Sequence, residues 1–391
     1  MTVSFLVIIL FWLPVLLYSA SSLFFYVGLH RRQAGSNKKK HFISVIIAAR
    51  NEEENIPALL DSLIKQEYPS DRYEVIVVDD KSTDSTAETV KEYSQRSEEL
   101  RLLRVEETPD NYSPKKYALT VGIKEARGDI ILTVDADCIV RPTWVGTMNS
   151  YFTEDVGMVV GYSGVSVTDR RSWLQKWQAF DFLALMAANE GALNHGIPLA
   201  SSGQNLGFRK SAFQEVGGYD SIAERATGDD VLLLQLIRRK TEFEIVFAGT
   251  PEAYNNTSPE LTLKDLLHQR IRWASDAPIQ LWMDPAFFAY LVAVFSMYVV
   301  FIGGILYALF NPGFWIIVGA GYLVKALSEF VLLNYATQIY ARRDLMGQFP
   351  VWTLLQIPYI IVTGLGGVFF NYSWKGRTRK EVKQIGEKEQ G

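Results

Sequence analysis

Between residues 42 and 134, short apolar runs alternate with longer stretches whose apolar residues recur every three or four positions. The short runs are "FISVIIAA" (42–49), "YEVIVV" (73–78), "LRLLRV" (100–105) and "DIILTV" (129–134). They carry the pattern of strands buried on both faces. The longer stretches, "IPALLDSLIKQ" (56–66), "STDSTAETVKEYSQR" (82–96) and "KYALTVGIKEARG" (116–128), have helical spacing. Ser82 and Asp84 give the second a start signal, and Gly128 closes the third. Strands buried on both faces and joined by helices predict a mostly parallel α/β sheet. No internal repeat or long low-complexity segment interrupts the pattern.

Three of these strands share a polar ending. The first runs into Arg50-Asn51-Glu52, the second into Asp79-Asp80, and the fourth into Asp135-Ala136-Asp137. In open α/β sheets the ligand lies outside the carboxyl ends of the strands, so three polar tips mark one crevice. Each tip taken alone reads equally as a helix cap or turn.

Longer apolar runs flank this region. Residues 2–29 hold no charged side chain and are long enough to span a bilayer. No basic segment precedes them, which favours a membrane anchor over a cleaved signal. His30, Arg31, Arg32 and Lys38–Lys40 follow, so the next stretch of chain is expected in the cytoplasm. Three further runs, 286–310, 314–336 and 349–371, lie toward the C-terminus. The middle one carries Lys325 and Glu329, spaced to pair on one helix face. Such charges either serve a wet cavity or satisfy each other between packed helices. Arg342 and Arg343 fit a cytoplasmic loop, while the basic "WKGRTRK" (374–380) conflicts with an outside tail. Either the charge rule is broken here or one run is re-entrant, and the last run, with Pro350, Pro358, Gly364, Gly366 and Gly367, is the candidate for that.

With 391 residues the chain is long enough for two or three units. Lys plus Arg is 39 against 43 Asp plus Glu, which gives nucleic-acid binding no support. Cys138 is the sole cysteine, so no disulfide forms within the chain, as befits a reducing compartment.

A D-x-D is expected roughly once by chance in a chain of this length; what singles out Asp135 and Asp137 is their place at a strand tip. Two carboxylates this close call for a cation between them and what they serve. A hard divalent ion, Mg²⁺ or Mn²⁺, suits two carboxylates completed by substrate phosphates. No G-x-x-x-x-G-K-[ST] or strand-linked G-x-G-x-x-G cradles those phosphates, and no Cys/His cluster argues for zinc. A second acidic pair, Asp229-Asp230, follows Gly228 at the start of a helical segment. It reads as a helix cap, or as a general base that takes a hydroxyl proton while a metal-bound diphosphate leaves. In "LTLKDLLHQRIRW" (261–273), Leu263, Leu266, Leu267 and Ile271 share one helical face. Gln269, Arg272 and Trp273 lie near the next span, where Arg272 can stabilise leaving-group charge and Trp273 can stack on a sugar or sit in the interface. In "SWLQKWQAFDFLALM" (172–186), Trp173, Trp177, Phe180 and Ala184 form either a core stripe or a face lying in the membrane interface.

In order, strand-"RNEE", "VVDDKSTDST", "PKKYAL", "ARGDIILTVDAD", "GDD" and "QRIRW" resemble the family 2 glycosyltransferases, and most nearly their membrane-integrated, synthase-like members. The resemblance covers about residues 42–275 plus the flanking spans. It implies a GT-A fold, a Rossmann-like α/β cytoplasmic domain with a mostly parallel sheet, joined to transmembrane helices. It implies that Asp79 and Asp80 hold the base and ribose of a nucleotide-sugar, usually a UDP-sugar, in the crevice that Arg50 and Glu52 also border. Lys115 falls where the family has a lysine near the nucleotide, and Asp135 and Asp137 match its metal-binding D-x-D. Asp230 matches the base of an inverting displacement at the anomeric carbon, and Gln269, Arg272 and Trp273 complete a Q-x-x-R-W motif over the diphosphate and acceptor end. "SSGQNLGFRKSAFQEVGGYD" (201–220) is similar to the acceptor-side segment, with Gln204 and Asn205 toward acceptor hydroxyls. The chain departs from the family at Lys81 and Pro114, where glycines are usual, and in "GDD" for the commoner Glu-Asp pair, which leaves Asp229 beside Asp230 as a candidate base.

The expected organisation is an anchor helix (1–30), a basic linker (31–41), the GT-A domain with interfacial helices (42–275), a membrane domain (276–372) and a basic, polar tail (373–391). The expected activity is hexosyl transfer, dependent on Mg²⁺ or Mn²⁺, at the cell (inner) membrane. The acceptor is a lipid or a growing β-linked polysaccharide, the latter calling for an oligomer to complete a conduit. The alternative is a catalytically inactive sugar-binding subunit of an export or assembly complex.

Overall fold

The computed structural model describes residues 5–369 and two short strands, Ser373–Trp374 and Arg377–Thr378. Most of the tail read at 373–391, the end of the 349–371 run and residues 1–4 lie outside the described residues. The chain forms two compact units.

One unit comprises Arg32–Ser166 and Gly196–Pro259. Its strands are β1 (Ile43–Ala49), β2 (Tyr73–Asp79), β3 (Leu100–Arg104), β4 (Ile130–Thr133), β5 (Cys138–Val140), β6 (Val156–Gly161), β7 (Ser163–Val165), β8 (Leu206–Arg209), β9 (Glu244–Ala248) and β10 (Asn255–Thr257). Seven build the main sheet in the order β3-β2-β1-β4-β8-β6-β9, and β5-β10-β7 form a smaller one. The expected parallel arrangement holds for β1 to β4, with Ala49 beside Asp79 and Ile46 beside Thr133. β8, unforeseen, runs antiparallel to both of its neighbours, β4 and β6.

Every residue of β2, β4 and β6 is buried, as strands covered on both faces require. Each Val, Ile or Leu so withdrawn from water contributes roughly 1.5–3 kcal/mol. The chain steps outward through β2 and β3 and then returns to β4 on the other side of β1. The β1/β4 boundary is thus a topological switch point, where a crevice opens at the carboxyl ends.

The other unit comprises Met1–Arg31, Val167–His195 and Glu260–Tyr372. Among the described residues four helices are long and apolar enough to cross a membrane: Phe5–Leu29, Pro285–Phe310, the one that contains Trp315–Ile339 and the one that contains Phe349–Phe369. The last is a continuous 21-residue helix with Pro358 inside it. Helix Trp173–Leu193 buries Trp177 and Phe180 yet leaves Trp173 45% exposed, so the stripe read there divides between core and surface. Helix Leu263–Ala274 departs further from its pattern. Its buried positions are Leu266 and Arg270, and Leu263 is exposed. Arg270 is accommodated because Asp181 lies 3.3 Å from its Nη2 and the Trp273 ring 4.2 Å from its Cζ.

Candidate active site

The polar tips of β1 and β2 gather as the register demands. The Asp80 amide donates to the Ala49 carbonyl at 2.8 Å, and Arg50 Nη1 donates back to the Asp80 carbonyl at 2.8 Å. Asn51 takes a left-handed φ of 50°, and its Oδ1 accepts the Thr83 amide at 2.9 Å. Glu52 is nearly buried and accepts from Asn55 Nδ2 at 2.8 Å, while its own amide donates to Thr86 Oγ1. Arg50, Glu52, Asp79 and Asp80 thus share one rim, with both aspartates only 5% exposed. Lys81, where the family has glycine, adopts a φ of 55°, the conformation a glycine would take without strain.

Beyond β4 the chain turns sharply, the Cys138 amide donating to the Asp135 carbonyl at 3.1 Å. This turn presents Asp135 and Asp137 from one short loop. Thr257 of β10 donates to Asp137 Oδ2 at 2.9 Å, and the Ser258 amide donates to the Asp137 carbonyl at 3.2 Å. Sequence reasoning missed Thr257, an uncharged residue more than a hundred positions away.

Lys115 connects the two acidic pairs. Pro114 opens helix Pro114–Glu125, a role suited to its fixed φ, and so sets Lys115 and Lys116 in the first turn. Lys115 Nζ lies 2.9 Å from Asp135 Oδ1 and 2.9 Å from Asp229 Oδ2. Lys116 Nζ donates to the Thr227 carbonyl at 2.7 Å and so ties down the approach to the second pair. Gly228, at a φ of 82°, turns the chain into Asp229 and Asp230.

The two aspartates have different surroundings. Burial alone would raise the Asp229 carboxyl, but the Lys115 ammonium, aided by Lys116, holds it below its ordinary value. Burial raises Asp230 to about 6, and the charge of Asp229 adds to the rise. Burial would likewise lower Lys115, yet Asp135 and Asp229 keep its pKa well above the ordinary lysine value. Asp230 caps helix Val231–Lys240, its Oδ1 accepting the Val231 amide at 2.6 Å. Its Oδ2 accepts the Gly203 amide at 2.8 Å. The capping geometry is therefore real and coexists with an elevated proton affinity.

Gly203 is a second residue that sequence reasoning missed. A Cβ there would lie 3.3 Å from Asp229 Oδ2, 3.6 Å from Lys115 Nζ and 3.7 Å from Asp230 Oδ2, so the loop closes on all three and is tightest against Asp229. The next two residues diverge. Gln204 Nε2 donates to Thr257 Oγ1 at 3.3 Å, beside Asp137. Asn205 is fully buried, with Nδ2 donating to the Tyr162 and Ala253 carbonyls and Oδ1 accepting from Trp144 Nε1. Its side chain is occupied in holding the loop.

Gln269, Arg272 and Trp273 sit on helix Leu263–Ala274 of the other unit, where Gln269 Nε2 donates to Glu260 Oε1 at 2.8 Å.

Among the described residues no group of three or more His, Cys, Asp or Glu gathers to hold a metal. Asp135 and Asp137 offer oxygen donors alone, the set that a hard divalent ion accepts when substrate phosphates supply further ligands. The residues therefore fit Mg²⁺ or Mn²⁺ and do not suit a closed zinc site.

Residues 44–217 match the family model described as glycosyl transferase family 2. The chain is 29% identical to the probable glycosyltransferase YdaM of Bacillus subtilis, over 59% of this chain and 54% of that one. It is 30% identical to a beta-monoglucosyldiacylglycerol synthase of a Nostoc species, over 60% of this chain and 48% of that one. A poly-beta-1,6-N-acetyl-D-glucosamine synthase of Staphylococcus epidermidis is 28% identical, over 59% and 53%. The chain spans about half the length of these curated relatives. In fold it resembles mannosyltransferase PcManGT of Pyrobaculum calidifontis, solved with GDP-Man and Mn2+, at a TM-score of 0.58 and 18% identity, covering 93% of this chain and 99% of that one. The fold is GT-A.

Proposed function

We propose that this chain, a family 2 glycosyltransferase by its 44–217 domain, moves a sugar from a nucleotide-sugar to a hydroxyl of a membrane-associated acceptor, inverting the anomeric carbon. The observation that carries this reading is the lysine bridge. Asp135, suited to the donor's diphosphate, and Asp229, beside the candidate base, are both 2.9 Å from Lys115 Nζ.

The roles divide accordingly. Arg50, Glu52, Asp79 and Asp80 border the nucleoside end of the crevice. Asp137, with Asp135, would hold the divalent ion, which supplies positive charge to the departing diphosphate. Asp230 takes the acceptor proton. The acceptor oxygen then bonds to the anomeric carbon, the bond to the diphosphate oxygen breaks, and the electron pair leaves with the nucleoside diphosphate. A carboxylate raised to about 6 is ionised at neutral pH yet basic enough to help a hydroxyl attack. Asp229, kept ionised by Lys115, reads as the fixed charge that raises its neighbour, not as the base. Gln204, whose Nε2 donates to Thr257 Oγ1 beside Asp137, is assigned to the acceptor, with Asn205 holding its loop.

The four apolar helices, with Arg31, Arg32 and Lys38–Lys40 after the first, support a catalytic domain on the cytoplasmic face of the cell membrane. The test is metal-dependent turnover. Detergent-purified protein with native lipids, Mg²⁺ or Mn²⁺ and a panel of UDP- and GDP-sugars is expected to release nucleoside diphosphate from at least one donor. No release from any donor overturns the reading in favour of an inactive sugar-binding subunit.

A further inference from the structure

A polysaccharide that crosses a bilayer inside a protein needs polar side chains turned toward a lumen, because its hydroxyls lose water there. Among the apolar helices the polar side chains of Tyr18, Lys325, Glu329, Thr353, Tyr298 and Gln356 are turned toward one another. Among the described residues of the four spanning helices, only Lys325 and Glu329 are charged. Their side chains are 0% and 2% exposed and meet at 2.7 Å. Tyr18 of the first helix donates to Glu329 Oε1 at 2.7 Å, and Thr353 of the last donates to Oε2 at 2.6 Å while accepting from Lys325 at 3.1 Å. Tyr298 of the second helix donates to Gln356 at 2.6 Å, and Gln356 in turn donates to Asp181 at 3.2 Å. Ser21, Ser328 and Thr363 spend their hydroxyls on carbonyls of their own helices. The exposed faces carry residues such as Leu10, Leu13, Leu306 and Leu327, which suit hydrocarbon.

We propose that the acceptor is a membrane lipid with a free hydroxyl, glycosylated once, and not a polysaccharide threaded through this chain's own spans. This rests on the glycosyl-transfer reading above. Lys325, Glu329, Thr353, Tyr298 and Gln356 already have partners, so admitting a sugar chain would mean breaking a buried ion pair that four helices close around. The candidate base narrows the class. A neutral hydroxyl needs Asp230 to take its proton, whereas a lipid phosphate oxygen is already anionic.

The experiment uses the full chain in vesicles of phosphatidylcholine, phosphatidylglycerol and diacylglycerol, with Mn²⁺ and, in turn, sugar-labelled UDP-glucose, UDP-N-acetylglucosamine and GDP-mannose. The expected result is label in the organic extract on a lipid bearing one sugar, at a rate that rises with the diacylglycerol fraction. Label in a water-soluble polymer of high mass overturns the inference and leaves glycosyl transfer standing. So does release of nucleoside diphosphate without labelled lipid. No release from any donor means that the transfer reading itself has failed, and the inference falls with it.

Discussion

Replacing Asp229 with asparagine is expected to move the acid limb of the pH–rate profile downward without abolishing transfer. The limb in the unaltered protein should lie near 6, where the Asp230 carboxyl gains its proton. Asp229 Oδ2 and Asp230 Oδ2 lie 3.3 and 3.7 Å from one point, the Cβ position of Gly203, so they are no more than about 7 Å apart. Two unit charges at that separation repel by roughly 2.4 kcal/mol at an effective dielectric constant of about 20, and by about 0.6 kcal/mol in bulk water. At about 1.4 kcal/mol per pH unit, removing the Asp229 charge lowers the limb by roughly 0.4 to 1.7 pH units. Lys115, relieved of one carboxylate, acts in the same direction on Asp230. Burial remains, so the limb should stay above the ordinary aspartate value of 3.8. The assay is kcat at saturating donor and acceptor from pH 4 to 8. An unmoved limb, or one displaced upward, would refute the electrostatic coupling. Complete loss of turnover in this variant, with an active Asp230→Asn variant, would exchange the two roles.

Other expectations follow from the same geometry. Gly203→Val should lower kcat by about tenfold or more with donor affinity little changed, because the side chain presses on Asp229, Lys115 and Asp230; steady-state kinetics and donor titration separate the two. Lys325→Met should destabilise the membrane unit by about 3–5 kcal/mol by leaving Glu329 buried without its cation, and adding Glu329→Gln should restore much of the melting temperature. The Asp230 carboxyl binds its proton up to about pH 6 in the fold against an ordinary 3.8, so its ionisation opposes folding increasingly between those values and fully above them. Asp230→Asn should therefore raise Tm relative to the unaltered protein more at pH 8 than at pH 4, by scanning calorimetry.

What the sequence made legible was whatever local pattern dictates. Strands such as Val75–Val78 are buried on both faces and so appear as unbroken apolar runs, and their polar tips stand out against them. The apolar helices were legible by length alone. The short strand Leu206–Arg209 was not, because four residues carry too little period to reveal an antiparallel partner. Gly203 and Thr257 were missed for a different reason. One acts through its lack of a side chain and the other through a single hydroxyl, and only tertiary packing brings them to Asp230 and Asp137. Arg270 was not legible either. A charged residue that the periodicity did not single out is buried because Asp181 and the Trp273 ring meet it there.

The most direct test of the central claim is to measure donor binding and sugar transfer side by side in Asp230→Asn, using isothermal titration of the nucleotide-sugar with Mn²⁺ and product formation on the same preparation. A base that serves the acceptor predicts donor affinity within a few-fold of the unaltered protein and transfer reduced by at least about a hundredfold. Transfer at a comparable rate would contradict the account, and so would a loss of activity fully explained by weaker donor binding.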